Sequence, residues 1–541
     1  MKETILLLLL VLTPTLLTAQ NNPILPKPLS YESHTGAFTL TDKITYSSNT
    51  PLANNALHYL LHQLERNAHY TLKQAPKGMP AQLTYLYRSG LDGETYTLEV
   101  KPHNILINAS STSGFFYGTI SLMQLMDANI WGQEKVIHPK SLWSIKSCYV
   151  TDAPYYKWRG MMLDSARNFF SKAYVKKFID RMAQHKLNVF HWHLTDDEGW
   201  RIEIKKYPLL TEIGAQRGPG TKLPFSLYPT MRGPKEKVQK GFYTQEDIKE
   251  IVAYAEKRSV HILPEIDIPA HAKAAVISYP ELLQDPNDRS NYISVQKVSN
   301  NTIDPGLKSS YIFLEDVIEE VVTLFPYKYI HLGGDEVPKG AWKGSPSVKK
   351  LMQKEHLKNS NEVQAYFFSK MDKILKKHHR NLIGWQEIQR NHNQLRDETI
   401  IMAWRGDGKG IKSIKHKKNV IFAPAQFLYF DQQYVKEKGA LGHTWAGPTN
   451  TKEVYSYQPL HTPISSQVKQ YVKGIHAVLW SEHALNENIA DYLVWPRALA
   501  LSEVAWSSPN TRVWLEFQKR MTQYALPRLE VQNINYYSKT H

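Results

Sequence analysis

Tyr329-Ile-His-Leu-Gly-Gly-Asp-Glu-Val337 is the stretch on which the reading of this chain turns. Its apolar opening, Tyr329, Ile330 and Leu332, has the make-up of a short buried strand, and two glycines interrupt it before two adjacent carboxylates. Along a continuing strand, Asp335 and Glu336 would point to opposite faces. Glycine adopts backbone angles that other residues resist, so Gly333 and Gly334 allow the chain to turn both acids towards one opening. Each of two neighbouring carboxylates opposes ionisation of the other. One protonated acid beside one anion is what general acid catalysis near neutral pH requires. A bare Asp-Glu pair is more often a solvated turn, so the weight falls on its surroundings.

From Trp158 onwards short apolar strands alternate with amphipathic helices. Strands are expected at 158–163, 188–194, 260–266, 329–333, 381–385, 399–404, 419–424 and 474–480. Helices are expected at 172–185, 244–257, 309–324 and 361–378, with a closing helix at 514–528. Eight strand–helix units within residues 155–530 predict an α/β chain whose catalytic domain is a (β/α)8 TIM barrel. The span exceeds the ~250 residues typical of that fold, so some loops must be long, with 214–239 and 425–462 the candidates. Residues 23–150 read as a small α/β N-terminal domain. Its expected parts are strands within 38–46, a helix at 57–66, a hairpin pairing 94–100 with 104–108, and a helix at 113–126.

Composition bounds the compartment. The chain has 541 residues, 42% hydrophobic and 21% charged, which describes an ordinary globular protein. Lys2, the apolar run Ile5–Leu17 and the small Ala19 predict a signal peptide over 1–19 and export by the Sec pathway to periplasm, cell surface or medium. No later run reaches ~20 apolar residues, so no integral membrane segment is expected after cleavage. Cys148 is the single cysteine, which excludes an intramolecular disulfide and a thiolate zinc cluster. The formal charge of +16 is spread over scattered patches and does not form a nucleic-acid track. A basic loop with Lys222, Arg232, Lys235, Lys237 and Lys240 raises the expectation that acidic glycans are tolerated if it reaches the mouth of the barrel.

Barrel enzymes draw their active sites from the C-terminal ends of the strands. Here those ends carry Asp164 and Arg167; His193, Asp196 and Asp197; Glu265, Asp267 and His271; Asp335 and Glu336; Trp385 and Glu387; Trp404 and Arg405; Tyr429, Asp431 and Trp445; and Trp480 with Glu482. Taken singly, a Trp is usually core and an Asp usually a helix cap. Taken together, aromatic faces beside carboxylates and an arginine suit a sugar, which offers C–H faces and hydroxyls.

The motifs 158-WRGMMLDSAR-167, 191-HWHLTDDEGWR-201, 263-LPEIDIPAH-271, 331-HLGGDE-336, 384-GWQE-387 and 480-WSE-482 resemble those of the glycoside hydrolase family 20 β-N-acetylhexosaminidases. The resemblance runs from about residue 25 to 525, since the family often carries a small α/β domain before its barrel. It implies an exo-acting, retaining enzyme that removes terminal β-linked N-acetylhexosamine. Glu336 would be the general acid and then the base, and Asp335 would orient and stabilise the acetamido group, which itself attacks the anomeric carbon. Tyr429 would hydrogen-bond the acetamido oxygen, and Trp385, Trp404 and Trp480 would wall the sugar. Arg167 and Glu482 would grip the 3- and 4-hydroxyls, with Asp431 and Trp445 towards the 4- and 6-positions. Asp196 and His271 would form the relay that tunes Glu336, with Asp197 a second candidate for its acid. The expected partner is a glycan, with neither cofactor nor metal.

Three positions depart from the family pattern: Asn168 for histidine, Ala270 for glycine and Glu198 for glutamine. A rival reading is a sugar-binding protein on an inactivated barrel, which loss of Glu336, Asp335 or Tyr429 would signal. Another is a two-carboxylate glycosidase, which would not require a 2-acetamido group.

Overall fold

Eight parallel strands close on themselves: β8 (Trp158–Asp164), β9 (Val189–Asp196), β10 (His261–Ile266), β11 (Tyr329–His331), β12 (Asn381–Trp385), β13 (Ile400–Ala403), β14 (Asn419–Phe422) and β15 (Val472–Ala477). Each pairs with the next, and β15 returns to β8 with Gly474 opposite Trp158, which closes the barrel. The chain is therefore an α/β N-terminal domain followed by a TIM barrel. In this computed structural model the described residues are 22–132, 143–223, 238–389, 395–460 and 466–539. The signal peptide expected at 1–19 and the loop residues Arg232, Lys235 and Lys237 lie outside them.

The barrel helices bury one stripe each. Helix α3 (Lys172–Gln184) buries Val175, Phe178, Ile179 and Met182, and Ser171 accepts a hydrogen bond from Tyr174 N at its start. Helix α4 (Gln245–Glu256) opens with a reciprocal capping box between Thr244 and Asp247, which satisfies two otherwise unpaired amides. Helices α5 (Lys308–Leu324) and α6 (Ser360–Lys377) follow the same pattern. The closing helix expected at 514–528 is broken into helix Trp514–Arg520, a π turn at Met521–Ala525 and helix Leu526–Glu530. Pro527 has no N–H to give and its ring crowds the carbonyl four residues back, so the wider turn accommodates it.

The N-terminal domain is a seven-stranded mixed sheet in the order β1-β7-β5-β6-β4-β2-β3. Its strands are β1 (Ser30–Thr39), β2 (Thr45–Ser48), β3 (Lys73–Gln74), β4 (Leu83–Tyr87), β5 (Tyr96–Lys101), β6 (Asn104–Ala109) and β7 (Ser144–Asp152). The expected hairpin is β5–β6, antiparallel from Tyr96–Ala109 to Lys101–Asn104. Helices α1 (Asn54–Ala68) and α2 (Thr112–Gln124) pack with each other, and α2 also packs on β5 and β6. Strand β7 was not expected from the sequence; it lies second in the sheet, between the edge strand β1 and β5.

Buried charges join the two domains. Lys186 and Asp152 form a 2.8 Å ion pair with both side chains fully buried, and Asp152 also accepts from Trp506 Nε1 and Tyr96 Oη. Arg159, at the start of β8, grips Glu94 through both terminal nitrogens at 2.8 and 2.9 Å.

Candidate active site

The turn after β11 adopts the conformation its glycines allow. Gly333, Gly334 and Glu336 all have positive φ, at 60°, 98° and 45°. A Cβ at Gly333 would stand 1.7 Å from Asp267 Oδ1, and one at Gly334 2.3 Å from Ile388 Cγ2. Only glycine fits either place. The turn brings Asp335 and Glu336 to the wall of one cavity of about 660 Å³ at the C-terminal ends of the strands.

Its lining includes Arg167, His271, Asp335, Glu336, Trp404, Tyr429, Asp431, Trp445, Trp480 and Glu482, with Arg405 from the strand ends. Of the residues given roles by the resemblance, Asp196, Asp197 and Trp385 lie elsewhere. Asp196 and Trp385 stand one layer back. Asp196 is buried, with Oδ2 2.8 Å from Arg167 and Oδ1 3.1 Å from His271 Nδ1. Trp385 packs behind Trp480 at 5.9 Å between ring centres and donates its indole N–H to Glu265 at 2.9 Å. Asp197 is farther from His271 than Asp196 is, at 3.9 Å, and is held instead by Lys273 N and Asn301 Nδ2.

His271 organises the acids. Its Nε2 lies 3.7 Å from Asp335 and 3.8 Å from Glu336. Burial works against its cation, but Asp196 and Asp335 outweigh that and hold it protonated well above the ordinary histidine range. Asp335 is pushed up to about 7, first by burial and then by Glu336 and Glu387, with His271 opposing. Burial also opposes ionisation of Asp196, yet Arg167 and His271 hold its carboxyl far below the usual range.

An aromatic box faces these acids. Trp404 and Tyr429 lie nearly parallel, and Trp445 stands edge-on to both at 6.0 and 5.9 Å. Trp404 donates its indole N–H to Glu387, which also pairs with Arg405 at 3.2 Å. Another part of the wall is charged: Arg167 over Trp480, then Glu482, His443 and Asp431. Against its burial, Arg167 and His443 draw Glu482 down to about 2, whereas burial lifts Asp431 to about 7. Glu482 Oε2 and Asp431 Oδ1 are buried acceptors without a hydrogen-bonding partner among the described residues, an arrangement suited to hydroxyl donors.

Of the departures, Glu198 is buried and pairs with Arg167 Nε at 3.0 Å, and Asn168 ties to Ser481. Below the cavity, Glu265 meets His191, His193 and His331 at 2.9, 2.6 and 2.8 Å. Glu265 with His191 and His331, Glu265 with His193 and Asp267, and Asp196 with Asp267 and His271 are each close enough to share an ion. Of these neighbours His193 hydrogen-bonds one oxygen of Glu265, and the Trp385 indole donates to the other. Gln296, Gln426, His443 and Thr444 also line the cavity and were not singled out. Gln426 lies on the short helix Ala425–Leu428 and the others on irregular loops, and neither periodicity nor a motif marks them.

Two family profiles match this chain: the glycosyl hydrolase family 20 catalytic domain over residues 156–509 and its domain 2 over residues 21–153. The chain belongs to glycosyl hydrolase family 20. It is a β-hexosaminidase, a glycoside hydrolase. It is 37% identical to a beta-hexosaminidase of Vibrio furnissii over 88% of this chain and 76% of that one. A beta-hexosaminidase of Porphyromonas gingivalis is 34% identical over 95% of this chain, which spans 64% of that relative's length. Among solved structures, the exo beta-N-acetylglucosaminidase of Vibrio harveyi in complex with N-acetylglucosamine superposes with a TM-score of 0.89 at 35% identity, covering 96% of this chain and 78% of that one. The beta-N-acetylhexosaminidase of Bacteroides fragilis gives 0.79 at 31% identity, covering 95% and 96%.

Proposed function

We propose that this family 20 enzyme removes terminal, non-reducing β-linked N-acetylhexosamine from glycans, with N-acetylglucosamine as one such sugar. On this reading it retains anomeric configuration and uses the substrate's acetamido group as nucleophile. The observation that carries it is the adjacency of Asp335 and Glu336 on one turn, with His271 within 3.8 Å of both. A retaining enzyme with its own nucleophile needs two carboxyls about 5–5.5 Å apart flanking the scissile bond. Neighbours on a tight turn serve adjoining tasks instead. The complex of the Vibrio harveyi enzyme with N-acetylglucosamine supports the choice of sugar.

In the first step Glu336 gives its proton to the glycosidic oxygen while the acetamido oxygen bonds to the anomeric carbon, and the C–O bond to the leaving group breaks. The oxazolinium ion so formed is cationic. Asp335 accepts from the acetamido N–H and, ionised, stabilises that charge in a dry pocket. Burial, Glu336 and Glu387 raise Asp335 to about 7, against His271, and the positive charge of the intermediate favours its anion. In the second step Glu336 takes a proton from water, whose oxygen bonds to the anomeric carbon as the bond from that carbon to the acetamido oxygen breaks. Tyr429 hydrogen-bonds the acetamido oxygen, Trp404 and Trp480 wall the sugar with Trp385 as support, and Trp445 covers its outer edge. Arg167, Glu482 and Asp431 bind the hydroxyls.

The test is a series of aryl glycosides bearing acetyl, fluoroacetyl and trifluoroacetyl groups. Turnover should fall steeply along it, a 2-hydroxyl glucoside should hardly react, and proton NMR should show β product first. Inverted product, or a glycosyl ester trapped on any carboxylate, overturns the mechanism. Export of the mature chain belongs to the same proposal. Mass spectrometry should find a soluble exported form starting near Gln20, and an intact Met1 on that form would refute it.

A further inference from the structure

Gln296 belongs to none of the motifs, yet it touches the acid. It occupies the third position of the turn Ser294–Lys297, at the tip of a hairpin in which Ile293 bridges Ser299. Lys297 N donates to Ser294 O at 3.0 Å and Ser294 N to Val298 O at 2.8 Å, so the backbone fixes where the side chain starts. Gln296 Nε2 then donates to Glu336 Oε2 at 3.2 Å. The other charged groups around this carboxylate are His271, 3.8 Å from the same oxygen, and Arg405, 3.8 Å from Oε1, with Asp335 beside it and Glu387 paired to Arg405. Gln296 is the neutral member of this set, and among the described residues it is the one that hydrogen-bonds the carboxylate.

We infer that Gln296 is a positioning residue for Glu336, its amide serving the carboxyl in both protonation states of the reaction. The inference rests on Glu336 being acid and then base. For the anion, Nε2 donates, as observed. For the protonated form an acceptor is needed whenever the O–H is not aimed at the leaving oxygen. Gln296 Oε1 is buried and has no hydrogen-bonding partner among the described residues. A half-turn of the amide presents it to the same carboxyl. A cation in this place would favour the anion alone, and an alkyl group neither form.

The experiment compares the pH dependence of kcat/KM in the wild type, Gln296→Leu and Gln296→Glu, with Ile293→Ser as a control on the hairpin itself. The bond donated to the anion outweighs the bond accepted from the neutral acid by about 3- to 10-fold, so losing both should move the high-pH limb of Gln296→Leu upward by roughly half a unit to one unit. With an activated aryl substrate, whose slow step uses Glu336 as base, kcat should also fall by about ten-fold. Gln296→Glu keeps the shape and adds an anion beside Glu336, so its limb should move further upward. Thermal unfolding of each variant shows whether the fold is retained. Should Gln296→Leu fail to fold, Gln296→Glu decides alone. A high-pH limb that stays in place in every folded variant overturns the inference, whatever the loss of activity. The reading of Glu336 itself fails on a different result, namely Glu336→Gln losing equal activity on good and poor leaving groups.

Discussion

Asp196 and Arg167 form a buried ion pair at 2.8 Å, and the carboxylate oxygen left over faces His271 at 3.1 Å. One carboxylate thus serves the arginine assigned to the sugar hydroxyls and the imidazole assigned to the acid. Residues in one such network do not contribute independently.

The first prediction follows from that sharing. Asp196→Asn should lower kcat/KM by about 10²-fold, since it weakens both partners. Arg167→Ala should do comparable damage, but the double variant should be less impaired than the product of the two losses, by ~1–3 kcal/mol. Steady-state kinetics of the cycle measure this. Strictly additive free energies would mean that the sugar grip and the relay work apart.

The second concerns the joint between domains. Asp152→Ala leaves Lys186 fully buried without its counter-charge, which should cost ~3–5 kcal/mol in urea unfolding. Adding Lys186→Met should recover much of the loss, because the uncompensated charge is then gone. A single variant as stable as the wild type would show that the pair contributes nothing to holding the sheet on the barrel.

These pairs also mark what could be read from sequence. The barrel strands were legible because burial on both faces makes short apolar runs, and the acids were legible because Gly333 and Gly334 sit directly before them. Strand β7 was not. Its exposed and buried positions alternate irregularly through Ile145, Ser147, Cys148 and Val150, and its place between β1 and β5 is set by long-range pairing with both. Gln296 and His443 were hidden for a similar reason: irregular loops bring them to the cavity, and only tertiary structure shows where those loops lead. Asp196 was singled out, but its bond to Arg167 was not, since spacing in sequence does not reveal a contact between two strand ends.

A third prediction separates the acid from the rest of the site. Glu336→Gln should slow poor leaving groups by ~10²–10⁴-fold and activated phenols much less, since those depart without a proton. Rates plotted against leaving-group acidity test this. A uniform loss would point to binding, and wild-type cleavage of natural oligosaccharides would remove Glu336 from the mechanism.

The last prediction sets stability against activity at Asp335. Burial, Glu336 and Glu387 push this carboxyl from 3.8 up to about 7, although His271 opposes them. The folded state therefore keeps a proton that the unfolded chain releases, so stability falls as pH rises from about 4 to about 7, and the full penalty stands above that window. Asp335→Asn cannot ionise. It should be no more stable than the wild type near pH 4 and should gain on the order of 1–3 kcal/mol by pH 8. Its turnover should meanwhile drop by at least ~10²-fold, because an amide cannot stabilise the cationic intermediate as an anion does. Urea unfolding at intervals from pH 4 to 8 gives the stability difference, and initial rates give the activity. A gain that did not grow with pH would show that the ionised carboxylate is not strained in the folded site. Undiminished turnover would instead deny it a part in the chemistry.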